Sequence, residues 1–202
     1  MSRCRQAVSR RQHPSVDRPG LPMSKLSLDE IRAIFTSSTD FNRIFDAFEA
    51  AVNSKNDDIE LYRQLFWNKA LTPDELCLFG KKLTGEFPHI AYDVYMWLAN
   101  VFELTFFQYD NYELALIYYQ KAAEVKPNEP DPYLDACDCY EPDLNIPPAD
   151  QLIDFCRKGV GHVLQPKPLY LRLARLYSII GDEYRSLFYQ SKANESGKPP
   201  SS

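Results

Sequence analysis

The sequence predicts an all-α protein, built of antiparallel helix pairs stacked into one superhelix, an α-solenoid. Three observations predict it. Helix-start signals recur along the chain from residue 27. A set of small and aromatic residues returns at intervals near 34 residues. Only 7 Gly occur in 202 residues, which argues against a turn-rich β architecture or a glycine-dependent nucleotide loop. A two-helix unit of that period cannot bury its apolar face alone, so neighbouring units stack.

The helices can be taken in order. Ser27-Leu28-Asp29-Glu30 is a capping box, in which the Ser hydroxyl and the Glu carboxylate satisfy free N–H groups reciprocally. It opens a helix with Leu28, Ile31, Ile34 and Phe35 on one face. Asp40 caps the next, where Phe41, Ile44, Phe45, Phe48 and Val52 keep the helical period. Asn56 or Asp57 is expected to start a third helix over 57–70, carrying Ile59, Tyr62, Leu65 and Phe66. Thr72-Pro73-Asp74-Glu75 marks a fourth start, with Pro at the first helical position and Leu76, Phe79 and Leu83 inside.

From His89 onward the pattern repeats. The quartet Ala99, Phe102, Glu103, Phe106 returns after 34 residues as Tyr133, Ala136, Cys137, Tyr140, and after a further 37 as Tyr170, Leu173, Ala174, Tyr177. The small residues of the partner helices, Ala122, Gly159 and Ala193, are separated by 37 and then 34. One three-residue insertion in the middle unit reconciles both spacings. It falls in the proline-rich stretch Glu141 to Pro148, which is expected to form a loop.

Asp110-Asn111-Tyr112-Glu113-Leu114-Ala115, followed by Tyr119, Ala122, Ala123 and Pro127, resembles the second half of a tetratricopeptide (TPR) unit. Tyr170 to Tyr177 with Gly181-Asp182 resembles the first half of another, and the likeness covers roughly 96–198. Departures are Trp97 two places before the usual aromatic, Glu103 at a place normally small, and Ser186 for the usual Ala. The resemblance implies a right-handed TPR-like superhelix of five helix pairs, with divergent pairs over 27–86 and clearer repeats over 89–196. The folded body is expected over 24–196, between a disordered basic segment 1–23 and a disordered tail 197–202.

In that family the first helix of each pair lines a groove that grips a peptide. Carried over, the resemblance implies partner contacts at Trp97, Asn100, Leu104 and Phe107, then at Asp131, Leu134, Asp138 and Glu141, and finally at Leu171, Arg175 and Ser178. Only Asn100 and Arg175 match the family's clamp for a terminal carboxylate. The acids favour a protein or peptide partner with basic residues beside apolar ones. The implied role is a non-catalytic adaptor or scaffold. The alternative is a small TPR holding chaperone for an exported or aggregation-prone client.

Charge excludes some other classes. Five Arg and one Asp fall in residues 1–23, leaving 18 basic and 27 acidic residues in 24–202, a net of −9. An acidic body repels phosphate backbones, which disfavours nucleic acid. No apolar run reaches the roughly 20 residues of a membrane span. The Arg-rich head lacks an apolar core and carries Pro14, Pro19 and Pro22. Met23 stands directly before the first helix signal, so a start at Met23, a basic tail and a transit peptide all remain open. Five Cys without a secretory leader point to a reducing compartment, the cytoplasm, or the mitochondrial matrix if the head is a transit peptide.

Chemistry finds little footing. Cys137, Cys139, Cys156 and His162 are the sharpest metal candidates, but residues 137 and 139 of one helix point about 200° apart. Buried free thiols explain them better. His13, His89 and His162 show no spacing that pairs them with a nucleophile, and no phosphate loop or dinucleotide fingerprint occurs. No cofactor, metal or catalytic residue is expected. At the C-terminal end, Leu169, Leu173 and Leu176, with Tyr184, Leu187 and Phe188, are expected to leave an uncovered apolar face for a partner or for self-association.

Overall fold

The computed structural model describes residues 26–105 and 109–196. The expected end segments, and Phe106 and Phe107, lie outside them. The described residues form α1 (Leu28–Ser37), α2 (Phe41–Asn53), α3 (Ile59–Phe66), α4 (Pro73–Glu86), α5 (Ala91–Thr105), α6 (Tyr109–Val125), α7 (Asp131–Asp138), α8 (Ala149–Val160), α9 (Lys167–Ile179) and α10 (Glu183–Glu195), with a 3₁₀ turn at Pro88–Ile90 leading into α5.

The starts follow local chemistry. Both capping boxes form: the Ser27 N–H donates to Glu30 at 2.8 Å, and the Thr72 N–H donates to Glu75 at 2.8 Å. Asp40 caps α2 through the Asn42 N–H. The third start differs by a residue or two from the sequence expectation. Asp58 caps α3 through the Glu60 N–H, while Asn56 accepts from the Asp58 N–H and closes the turn before it. The helix also ends early, at Phe66 instead of near residue 70. Asn68 is drawn out of the helical path because its buried amide serves the open end of α1, donating to the carbonyls of Phe35 at 2.8 Å and Ser38 at 2.9 Å. Leu28, read as part of the apolar face of α1, is 45% exposed, since it sits in the first turn beyond the reach of α3.

Packing runs along the chain. α1 lies on α2 and α3, α3 on α5, and α7 on α9, so the odd-numbered helices form one row; each of α4, α6 and α8 packs on the odd helix that follows it. The closest pairs are α5–α6 and α9–α10. Their contacts use Ala99, Ala115, Ala122 and Ala193, all fully buried, which let axes approach. In α9–α10 the Ser186 hydroxyl donates to the Ala174 carbonyl at 2.9 Å, so the departure from the usual Ala is accommodated by a hydrogen bond. Upstream the spacing is wider and rings fill it. Phe48 and Phe79 approach to 4.9 Å between centroids, and Phe48 and Tyr62 to 5.9 Å.

The insertion is a compact turn. Backbone bonds join Glu141 and Ile146 in both directions, Ile146-Pro147 is cis, and Asn145 adopts φ 51°. The Asn145 side chain accepts from the Tyr140 hydroxyl at 3.1 Å and from the Ala149 N–H at 3.0 Å, which caps α8 where Pro148 cannot.

Candidate functional site

The resemblance assigns the partner groove to the odd-numbered helices. Trp97 is half-buried on α5, with the Arg63 guanidinium of α3 over its ring at 5.2 Å. Asn100 is half-buried, Leu104 is 60% exposed, and Phe107 falls outside the described residues. On α7, Asp131 and Asp138 are exposed and Leu134 half-buried. On α9, Leu171, Arg175 and Ser178 are exposed. Glu141 does not continue the α7 face as expected. The helix stops at Asp138, and Glu141 is held in the turn by its backbone bonds to Ile146.

Three residues outside the expected set organise the centre. α3 approaches α5 closely and α7 approaches α9, while α7 meets the preceding helix pair chiefly through α6. Glu103 stands where a small residue would let the helices close. The Tyr119 hydroxyl of α6 donates to it at 2.7 Å, with the Asn100 side-chain oxygen 3.1 Å from the same hydroxyl. The Cys139 thiol lies beside Glu103 and donates to the Asp135 carbonyl at 3.5 Å. Burial, with these neighbours, pushes both the Tyr119 hydroxyl and the Cys139 thiol far up, so both stay protonated as donors.

Asp135 sits beside this network. Burial first, then the charges of Asp131, Glu103 and Asp138, push its carboxyl from 3.8 up to about 6, against the opposing pull of Arg172. Arg172 of α9 donates to Asp138 at 2.8 Å, and its Nε is shielded from solvent with no partner among the described residues. Asp138 and Arg175 meet in one shallow depression with Cys137, Tyr140, Leu176 and Ile179. Asp131 and Asp138 thus lie in the field of Asp135, and Arg175 lines the same depression as Asp138. Glu103, Asp135 and Arg172, which join these residues, are outside the set that the sequence suggested. Glu103 had a signal in the sequence, a charge at a packing position, which demands donors around it.

The cysteines diverge as their helical angle requires. Cys137 lies beside Cys156 of α8, whose thiol donates to the Leu169 carbonyl at 3.6 Å, while Cys139 lies beside Glu103. Among the described residues no group of three His, Cys, Asp or Glu side chains is placed to hold a metal ion, and His89 pairs with Asp57 at 2.9 Å on the surface.

The expected apolar end is corrected in part. Leu169, Leu173 and Leu176 are buried, since α9 is packed on α7, α8 and α10, and Tyr189 of α10 stacks on Tyr177 at 5.5 Å and 4° and on Tyr170 at 6.2 Å. The outer side of α10 stays open: Tyr184 is 82% exposed, Leu187 66% and Phe188 48%.

No family model and no curated protein matches the chain. Among solved structures it is similar to two of the MamA protein. The first is 18% identical with a TM-score of 0.48, over 83% of this chain and 92% of that one. The second is 18% identical with a TM-score of 0.47, over 79% and 94%.

Proposed function

We propose that the chain is a non-catalytic interaction module that takes a basic and apolar segment of a partner protein along α5, α7 and α9. The observation that supports this reading is the crowding of acids around Asp135, with Arg172 of α9 held on Asp138 at 2.8 Å. Four acids, Glu103, Asp131, Asp135 and Asp138, crowd one joint, with Arg172 as the cation that opposes them. A Lys or Arg side chain brought there would relieve that repulsion, and Leu104 and Leu134 supply apolar contact beside it. A carboxylate-terminated ligand would meet the opposite field.

The test uses a labelled peptide of alternating Arg and Leu, with a control in which Glu replaces Arg, read by fluorescence anisotropy. The basic peptide should bind and the acidic one should not. Asp131→Asn and Asp135→Asn should each weaken binding about two- to fivefold. Binding should also fall as pH drops through about 6, where Asp135 takes up a proton. Equal binding of both peptides, or no loss when Asp131→Asn and Asp135→Asn are combined, would overturn the assignment.

A further inference from the structure

Leu104 of α5 is 60% exposed and Leu171 of α9 47%, with Leu134 of α7 half-buried. The row of odd-numbered helices thus offers apolar side chains that nothing among the described residues covers. Its field narrows the choice of occupant. At Tyr92 of α5, burial and then the charges of Asp131, Glu129, Asp93 and Asp135 push the hydroxyl up to about 12, and the Lys126 ammonium stands 4.3 Å over that ring. Asp138 has Arg172 at 2.8 Å, whereas none of these four acids holds an ion pair among the described residues. The acidity of the row therefore extends from α7 to α5, and a cationic segment with apolar residues fits it.

The chain carries such a segment. Residues 3–11, Arg3-Cys4-Arg5-Gln6-Ala7-Val8-Ser9-Arg10-Arg11, hold four Arg and no acid, with Ala7 and Val8 between the charges. No ten-residue stretch beyond this head holds four bases without an acid. Its sign is opposite to that of the body, whose net is −9 over 24–202. It also has the reach. Leu26 packs on the core just before α1, the first helix of the same row. Arg11 stands 15 residues before Leu26, a length of chain that spans up to about 50 Å. Packed helix axes lie about 8–10 Å apart, so α5 and α7 are roughly 20–30 Å from α1. A tethered segment meets its site at an effective concentration on the order of millimolar, so a modest electrostatic fit suffices.

We propose, resting on the reading of α5, α7 and α9 as a groove, that residues 3–11 lie in the groove of their own chain and that a partner's basic segment must displace them. The arginines answer the acids of α5 and α7, and Ala7 and Val8 answer Leu104 and Leu134. The head is then a competitor built into the chain, and it raises the partner concentration needed for binding.

Two measurements on the full chain test the proposal. Arg3→Gln, Arg5→Gln, Arg10→Gln and Arg11→Gln combined should tighten binding of the labelled Arg–Leu peptide about three- to tenfold, because the competitor is removed. In a Cys77→Ser chain with a dansyl group on Cys4, the buried Cys137, Cys139 and Cys156 being shielded from label, energy transfer from the tryptophans should fall at high salt and with the four substitutions. Equal peptide affinity of the two chains, or transfer that ignores the substitutions, would overturn the proposal and leave the groove reading standing. Transfer that rises with protein concentration would put the head on a second copy and overturn it as well. If neither chain binds the basic peptide, the groove reading fails and this proposal with it.

Discussion

Asn68 occupies a place where an apolar residue would be expected, and its amide is fully used. It donates to two carbonyls at the end of α1 and accepts from the Ala70 N–H at 2.9 Å. Removing the amide leaves buried carbonyls without partners. Asn68→Ala should therefore cost about 1–3 kcal/mol in urea denaturation. Asn68→Asp should cost more, since an acceptor then faces two acceptors. Asp135 makes a prediction of opposite sign. Its folded pKa of about 6 lies above the unfolded 3.8, so the fold binds that proton more tightly than the unfolded chain does. The stability from this group is complete below 3.8 and is lost as pH rises through about 6. Asp135→Asn should stabilise the protein at pH 8 by about 1 kcal/mol after allowance for solvent screening, and should give no gain at pH 3.5. A thermal melt at each pH checks it.

Among the elements, α7 and α8 depend on one close approach. A methyl group added at Gly159 would stand 2.6–2.9 Å from three carbons of the Tyr133 ring, which is itself packed on Phe155 at 4.8 Å and bonded to the Pro127 carbonyl at 3.1 Å. The ring cannot retreat, so Gly159→Ala should cost about 1–3 kcal/mol. Gly80→Ala should cost less, because the obstacle there is the end of the flexible Leu98 side chain. Gly159 was legible in sequence as a member of the spaced set Ala122, Gly159, Ala193, and all three are buried. Capping boxes were legible for the same reason that they work: they are local. The end of α3 was not, because Asn68 leaves the helix to serve residues some thirty positions away. Nor was the burial of Leu169, Leu173 and Leu176, which depends on how α7, α8 and α10 all pack on α9. The acidic cluster around Asp135 was not legible either, since Asp135 and Arg172 gain their surroundings from neighbours on other helices.

For the whole molecule, contacts run between neighbouring helices, so cooperativity must pass from unit to unit. From α5 to α7 it passes through α6, which packs on both and whose Tyr119 hydroxyl donates to Glu103. Both tryptophans lie before that step: Trp67 at the end of α3 and Trp97 in α5. Fluorescence therefore reads the N-terminal half, whereas circular dichroism reads every helix. If α7–α10 loosen first, the circular dichroism midpoint in urea should fall below the fluorescence midpoint. Coincident curves would mean that the Glu103 network transmits unfolding as firmly as a packed apolar joint.

The burial of Cys156 beside Cys137 has a kinetic consequence. Cys156 is fully buried and donates to the Leu169 carbonyl at 3.6 Å, and the Cys137 thiol beside it, together with burial, pushes its thiol far up, so an alkylating reagent finds almost no thiolate while α7 and α8 stay together. Cys77 on α4 is only half-buried, so reagent reaches it sooner. Alkylation should thus proceed in two phases, and the slow one measures how often the α7–α8 joint opens. A pair of ordinary packing thiols becomes a clock for the breathing of the stack.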